Sequence, residues 1–146
     1  MNKRELMTRT SAVVLAALTG NAMAQEAMHA HHHGATGPNA ALLATTSDCL
    51  VKGQICVAHC LDLLGEGDKE MAGCAKAVSQ MLALCGALQS LAAQQPSYVP
   101  TLAQTVMAAC LACEKECRKH ETEHTQSKDC AAACAECAKQ CKAVAA

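Results

Sequence analysis

The sequence has no tryptophan, no phenylalanine and a single tyrosine, Tyr98, in 146 residues. Aromatic rings normally supply much of the bulk and buried area of a core, so this interior must be filled by something else. Runs of β-branched residues are missing and the apolar period is never two, which excludes strands. A basic surplus is missing as well. The formal net charge is −1, and a chain without excess lysine and arginine offers no electrostatic footprint for nucleic acid. Cysteine is what the chain has instead, with twelve residues. In an exported protein that number ordinarily suggests six disulfides.

Residues 1–24 read as a signal peptide. Lys3, Arg4 and Arg9 precede the apolar run "SAVVLAALTG", and "NAMA" supplies a small-x-small end before Gln25. The apolar run is too short to span a bilayer, so no membrane segment is expected after cleavage. "KRELM" loosely resembles a twin-arginine export signal with Lys3 in place of the first arginine. Export, to the periplasm in a bacterium, is therefore the expected localisation. Removing these residues takes away three basic and one acidic side chain, leaving nine against twelve, a charge of −3. Residues 25–38, with "HAHHHGATGPN" at the centre, read as a flexible His-rich arm. Its imidazoles can capture Cu(II), Zn or Ni, or it is a tail with no physiological metal.

Residues 39–146 carry four helical segments, rich in Ala and Leu, with short breaks. The first runs from about Asn39 to Leu64 and stops at "GEGD". The second follows Asp68, a suitable N-cap, and runs to about Ala93. After "QQPS", Pro100 suits the first turn of the third, which ends near Lys119. Polar "HETEHTQS" leads to the fourth, about Lys128 to Val144. The fold class expected is all-α, an antiparallel up-down-up-down four-helix bundle.

At ~100° per residue the cysteines fall on one stripe of each helix. The groups are Cys49, Cys56 and Cys60; Cys74 and Cys85, sharing theirs with Val78 and Met81; Cys110, Cys113 and Cys117; and Cys130, Cys134, Cys137 and Cys141. Met81 reads as packing on that stripe. In an antiparallel hairpin, residues at one height have position numbers with a constant total. Cys117/Cys130, Cys113/Cys134 and Cys110/Cys137 share one such constant, and Cys60/Cys74 and Cys49/Cys85 share another. The thiols are mirrored across both hairpins, as stacked layers of inward-facing sulfur would be. Cys56 instead faces Val78, and Cys141 faces Val106.

Several chemistries compete for such a column. Mirrored cysteines across a hairpin suit disulfide geometry, ~4.4–6.8 Å between Cα atoms, but disulfide frameworks staple loop-rich folds. Residues i and i+4 on one helix also project in parallel. Structural zinc takes four ligands in a closed cage, and the pairs Cys110/Cys113 and Cys134/Cys137 can form one such site from four of the twelve thiols. Iron–sulfur clusters also take four each. Cu(I) is soft and needs only two or three sulfurs. Cys56/Cys60, Cys113/Cys117, Cys130/Cys134 and Cys137/Cys141 are four Cys-x-x-x-Cys clamps whose Cβ atoms lie ~5–6 Å apart. A redox enzyme would use a Cys-x-x-Cys pair at a helix N-terminus near a strand, and here both pairs lie inside helices. No enzyme is expected. A single-ion copper chaperone shares the ligand chemistry and differs in stoichiometry.

The stretches "CVAHCLDLLGEGDKEMAGC", "LCGAL" and "CLACEKECRKH…CAAACAECAKQC" resemble the copper storage proteins. These are four-helix bundles whose cores are lined with cysteines that bind many Cu(I) ions. The resemblance covers about Cys49 to Ala146. It implies an exported store for multiple Cu(I) ions per chain, often a homotetramer, with copper-requiring proteins as recipients. It also implies a His and several Met at the open end of the bundle. His59 and Met71 match that His and one of those Met, while Leu63 and Glu66 stand where other thioethers are expected. The helix 1–2 and helix 3–4 connections share an end in this topology, so His120 and His124 gather there with His59 and Met71. Those two read either as further entry ligands or as a solvated polar turn.

Overall fold

A computed structural model describes Gly37, residues 39–94 and residues 96–146. The signal peptide expected over 1–24 and the arm expected over 25–38, apart from Gly37, lie outside the described residues. Four helices make up the rest: α1 (Ala40–Gly65), α2 (Ala72–Gln94), α3 (Val99–Arg118) and α4 (Thr125–Val144). Single 3₁₀ turns, Lys69–Met71 and Pro96–Tyr98, lead into α2 and α3, and no strand occurs among the described residues. Each helix packs on the two beside it and none on the one diagonally opposite, which is the expected up-down-up-down bundle. α2, with the turn before it, is long and apolar enough to pass for a membrane span, and it packs between α1 and α3.

The helix boundaries follow from local chemistry. Gly67 adopts φ 100° just past the last turn of α1. The Gly67 N–H then reaches Leu64 O at 3.1 Å and the Asp68 N–H reaches Leu63 O at 3.0 Å, closing a Schellman motif. Asp68 caps the next turn as expected, its carboxylate accepting from the Glu70 N–H at 3.0 Å. Pro100 lies in the first turn of α3, where its missing N–H costs nothing. α4 begins three residues earlier than the expected Lys128. Its polar first turn, Thr125 to Ser127, is helical because Ser127 is buried against the core and donates its N–H to His124 O.

Laid on these helices, the cysteine stripes become one lattice. Every helix places four positions inward at spacings of four, three and four residues: Cys49, Gly53, Cys56, Cys60 on α1; Cys74, Val78, Met81, Cys85 on α2; Val106, Cys110, Cys113, Cys117 on α3; and Cys130, Cys134, Cys137, Cys141 on α4. All are buried. At 1.5 Å per residue the four positions on each helix span about 16 Å.

The two ends differ. At the α2–α3 connection the lattice rests on Leu42, Thr46, Leu88, Val99 and Ala103, none more than 2% exposed. Thr46, the one polar side chain there, spends its hydroxyl on Leu42 O at 2.8 Å, so this floor has no free polar group. The opposite end carries His59, Met71, His120 and His124.

Candidate metal centre

All twelve thiols are fully buried and free. Sulfurs on neighbouring helices pack in contact with one another. Cys85 and Cys110 lie 3.7 Å apart, Cys49 and Cys134 3.7 Å, and Cys74 and Cys117 3.5 Å. Cys113 stands 3.9 Å from both Cys117 and Cys130, and Cys56 stands 4.0 Å from Cys74. These are contacts between separate sulfurs, well beyond the ~2.05 Å of a disulfide.

Three groups have ligand atoms all within 4.8 Å of one another: Cys49, Cys85, Cys110 and Cys137; Cys56, Cys74 and Cys117; and Cys113, Cys117 and Cys130. The mirrored pairs Cys49/Cys85, Cys110/Cys137 and Cys117/Cys130 are thereby brought together. The two Cys-x-x-Cys pairs do not close on each other as a zinc cage would require. Three residues rise ~4.5 Å along a helix, so Cys110 and Cys113 occupy successive levels. The four-thiol group takes one cysteine from each helix instead. Of the Cys-x-x-x-Cys clamps, Cys113/Cys117 is in direct sulfur contact.

Close packing of thiols divides the protons unevenly. Hydrogen bonding from Cys110 and Cys134 lowers Cys49 from its ordinary value of 9.0 to about 5. Cys117 leads in lowering Cys56 to about 4. Cys130 is pulled up by Cys113 but further down by Cys117, Cys134 and Cys56, to about 5. Cys74, Cys113 and Cys137 are lowered as well. Their neighbours keep the shared protons. Cys60 is pushed up by Cys56 and Cys74, and Cys141 by Cys137, with burial adding to both. Cys85, Cys110, Cys117 and Cys134 are raised too. Contacting thiols thus share protons along the apo column.

A pH dependence follows for the reduced, metal-free chain. The raised thiols favour the folded state below the unfolded value of 9.0 and lose that advantage as pH climbs toward their folded values. The lowered thiols favour it above 9.0, and their share is lost as pH falls through about 5 for Cys49 and Cys130 and about 4 for Cys56. The apo melting temperature, followed by circular dichroism under anaerobic reducing conditions, is expected to peak near pH 9 and decline on both sides. A flat profile from pH 5 to 11 would contradict this proton sharing.

At the end opposite the floor, His59 Nε2 lies 3.0 Å from His124 Nδ1, with ring centroids 4.9 Å apart. His120 stands behind, its centroid 6.4 Å from that of His124. His124, not His120, is therefore the imidazole that His59 meets, because the turns after Cys117 carry residue 124 back over the bundle. Met71 is buried in the turn entering α2. Leu63 is half-buried and Glu66 exposed.

One residue of the column escaped sequence reasoning. Ser127 is fully buried with its hydroxyl 3.9 Å from Cys56 Sγ. Its place at the mirror of His120 was the only available signal. Met81, read as packing, has its sulfur 3.4 Å from Cys49 Sγ.

Among proteins of known function, a search of curated sequences finds no match. The family model for the copper storage protein matches residues 35–146, which include every described helix and all twelve buried thiols. The cargo named by that model is the soft metal that clustered sulfur selects. On the extent of that match, and with its thiols clustered as they are, the chain belongs to the copper storage protein family.

Proposed function

We propose that the chain stores several Cu(I) ions along this column, bound by Cys49, Cys56, Cys60, Cys74, Cys85, Cys110, Cys113, Cys117, Cys130, Cys134, Cys137 and Cys141. The observation that carries the reading is the packing of the sulfurs: Cys56, Cys74, Cys117, Cys113 and Cys130 run together at 3.5–4.0 Å, and Cys134 stands 3.7 Å from Cys49 of the four-thiol group. A thiolate can bridge two ions, and Cu(I) is satisfied by two or three sulfurs, so a continuous ladder is filled by many ions. Binding displaces the protons that Cys60, Cys85, Cys110, Cys117, Cys134 and Cys141 hold, so uptake releases acid and weakens at low pH. The reaction is stoichiometric, without turnover.

Anaerobic titration of the reduced chain with Cu(I) against a competing chelator tests this. Uptake on the order of one ion per thiol is expected when each sulfur bridges two ions. Saturation at one or two ions would replace the store by a chaperone or by a single metal in the four-thiol group. That second reading has its own support, since Cys49, Cys85, Cys110 and Cys137 offer the four sulfurs a structural zinc takes.

Copper enters, in this reading, at the end marked by His59, Met71, His120 and His124, the opposite floor being apolar and closed. The imidazole pair His59/His124 receives the ion and Cys60 is the first thiol below it. Replacing both His59 and His124 with Ala is expected to slow uptake severalfold in stopped-flow mixing with a Cu(I)–chelator complex, with final capacity unchanged. Unaltered kinetics would remove the imidazoles from the entry path. Export by the signal at residues 1–24 would place this store in the periplasm, where it can supply copper-requiring proteins. Exposed Val51 and Ile55, one turn apart on the outer face of α1, give apolar surface for the homotetramer implied by the family.

A further inference from the structure

Between its two end levels, where Cys60 and Cys74 lie beside Ser127 and Cys141 lies beside Val106, the lattice has one level with only two thiols. Toward the floor lies the four-thiol group Cys49, Cys85, Cys110 and Cys137. Toward the mouth lies a level with Cys56, Cys117 and Cys130 opposite Val78. Between them the register places Cys113 and Cys134 on α3 and α4, and Gly53 and Met81 on α1 and α2. Gly53 and Met81 are mirror partners in the α1–α2 hairpin by the same constant that pairs Cys60 with Cys74 and Cys49 with Cys85.

This pair is built for a methionine pointing inward. A Cβ added at Gly53 would lie 2.6 Å from Met81 Cε and 2.8 Å from Leu82 Cδ2, so the methyl end of Met81 fills the space that glycine leaves. Met81 is fully buried, and its Sδ lies 3.4 Å from Cys49 Sγ. Bulk alone does not call for sulfur here. Two turns further along the same face of α2, at the floor, the buried residue is Leu88.

We propose that the Met81 thioether is a copper ligand inside the column, a thirteenth sulfur beside the twelve thiols. The proposal rests on the Cu(I)-store reading and specifies one of its ligands. Met81 brings its level to three sulfurs, the number that completes a three-coordinate Cu(I). Two sulfurs bound to one ion at ~2.3 Å stand as much as ~4.6 Å apart, and the three rotatable bonds of methionine allow the 3.4 Å contact to open. A thioether carries no proton to lose. Copper at this level therefore displaces fewer protons than copper held by thiolates alone, and the neutral ligand adds no charge to a crowded interior.

The test uses the full chain produced with selenomethionine, reduced, loaded anaerobically with Cu(I) and measured by X-ray absorption at the selenium edge. It is paired with the Met81→Leu variant, which keeps the apolar volume and lacks that selenium. A short selenium–copper shell is expected in the native sequence, with a clear loss of its amplitude in Met81→Leu. Gly53→Ala provides a second variant, because its Cβ displaces the methionine and leaves every sulfur in the chain. It should lose the same shell. Equal amplitude in the native chain and Met81→Leu overturns the proposal. So does the absence of any selenium–copper shell in a chain that has taken up many ions, an outcome that leaves the store intact. Saturation of the native chain at one or two ions overturns store and proposal together.

Discussion

Loading the reduced chain with Cu(I) is expected to raise its melting temperature by more than about 20 °C, on the following physical grounds. A ligand bound only by the folded state stabilises it by ~4 kcal/mol when its free concentration is a thousand times the dissociation constant. For a bundle of this size each kilocalorie moves the melting temperature by about 4–8 °C, so even a couple of tightly held ions suffice. The apo state gives the metal ample scope. Half of its core residues are cysteines and it has no aromatic bulk, and its thiols compete for protons at contact distance. Metal replaces those shared protons with bonds that tie all four helices together. Differential scanning calorimetry of apo and loaded protein measures the effect directly. Coincident transitions would mean that copper, if bound, is held without engaging the column.

The second large effect concerns the order of the levels. Replacing Cys56, Cys117 and Cys130 with Val is expected to slow filling of the thiols beyond them roughly tenfold or more, a barrier increase of ~1.4 kcal/mol or above. Successive levels are about 5 Å apart along the helices, and an emptied level opens a gap of about 10 Å. No single ion bound at ~2.3 Å to sulfur can bridge that distance, so stepwise transfer is broken. The matching change at the other end, Cys85, Cys110 and Cys137 to Val, should lower capacity and leave the early rate unchanged. Stopped-flow uptake and equilibrium titration of both variants separate rate from capacity. Equal slowing by the two triple variants would show that copper does not travel along the column.

Much of this architecture was legible beforehand because it rests on local rules. Gly67, Asp68 and Pro100 set helix ends by backbone chemistry that their sequence positions announce. The mirrored numbering of the cysteines fixed the register within each hairpin, since short connections allow little else. Contacts between hairpins were not legible. That Cys85 meets Cys110 and Cys49 meets Cys134 depends on how the two hairpins dock, and no periodicity within a helix encodes it. This is also why the Cys-x-x-Cys pairs suggested a zinc cage that the structure replaces with a group drawn from all four helices. His124 outranks His120 at the mouth because of turns after Cys117 that a polar stretch does not reveal. Met81 was read as packing, and what it packs over, the space left by Gly53 on another helix, shows only in the assembled lattice that pairs the two.

The floor beneath the lattice has a consequence for what the protein does with a full load. Leu42, Leu88, Val99 and Ala103 offer no sulfur, nitrogen or oxygen ligand in their side chains, and Thr46 has committed its hydroxyl. Filled as proposed, a column closed in this way would behave as a stack with one access point, last in and first out. The copper nearest Cys60 would be exchangeable stock, and the copper against the floor would be reserve, withdrawn only after everything above it had gone. A partly filled chain and a nearly full one would then answer the same demand at different speeds, and the level of filling itself becomes a record of recent supply.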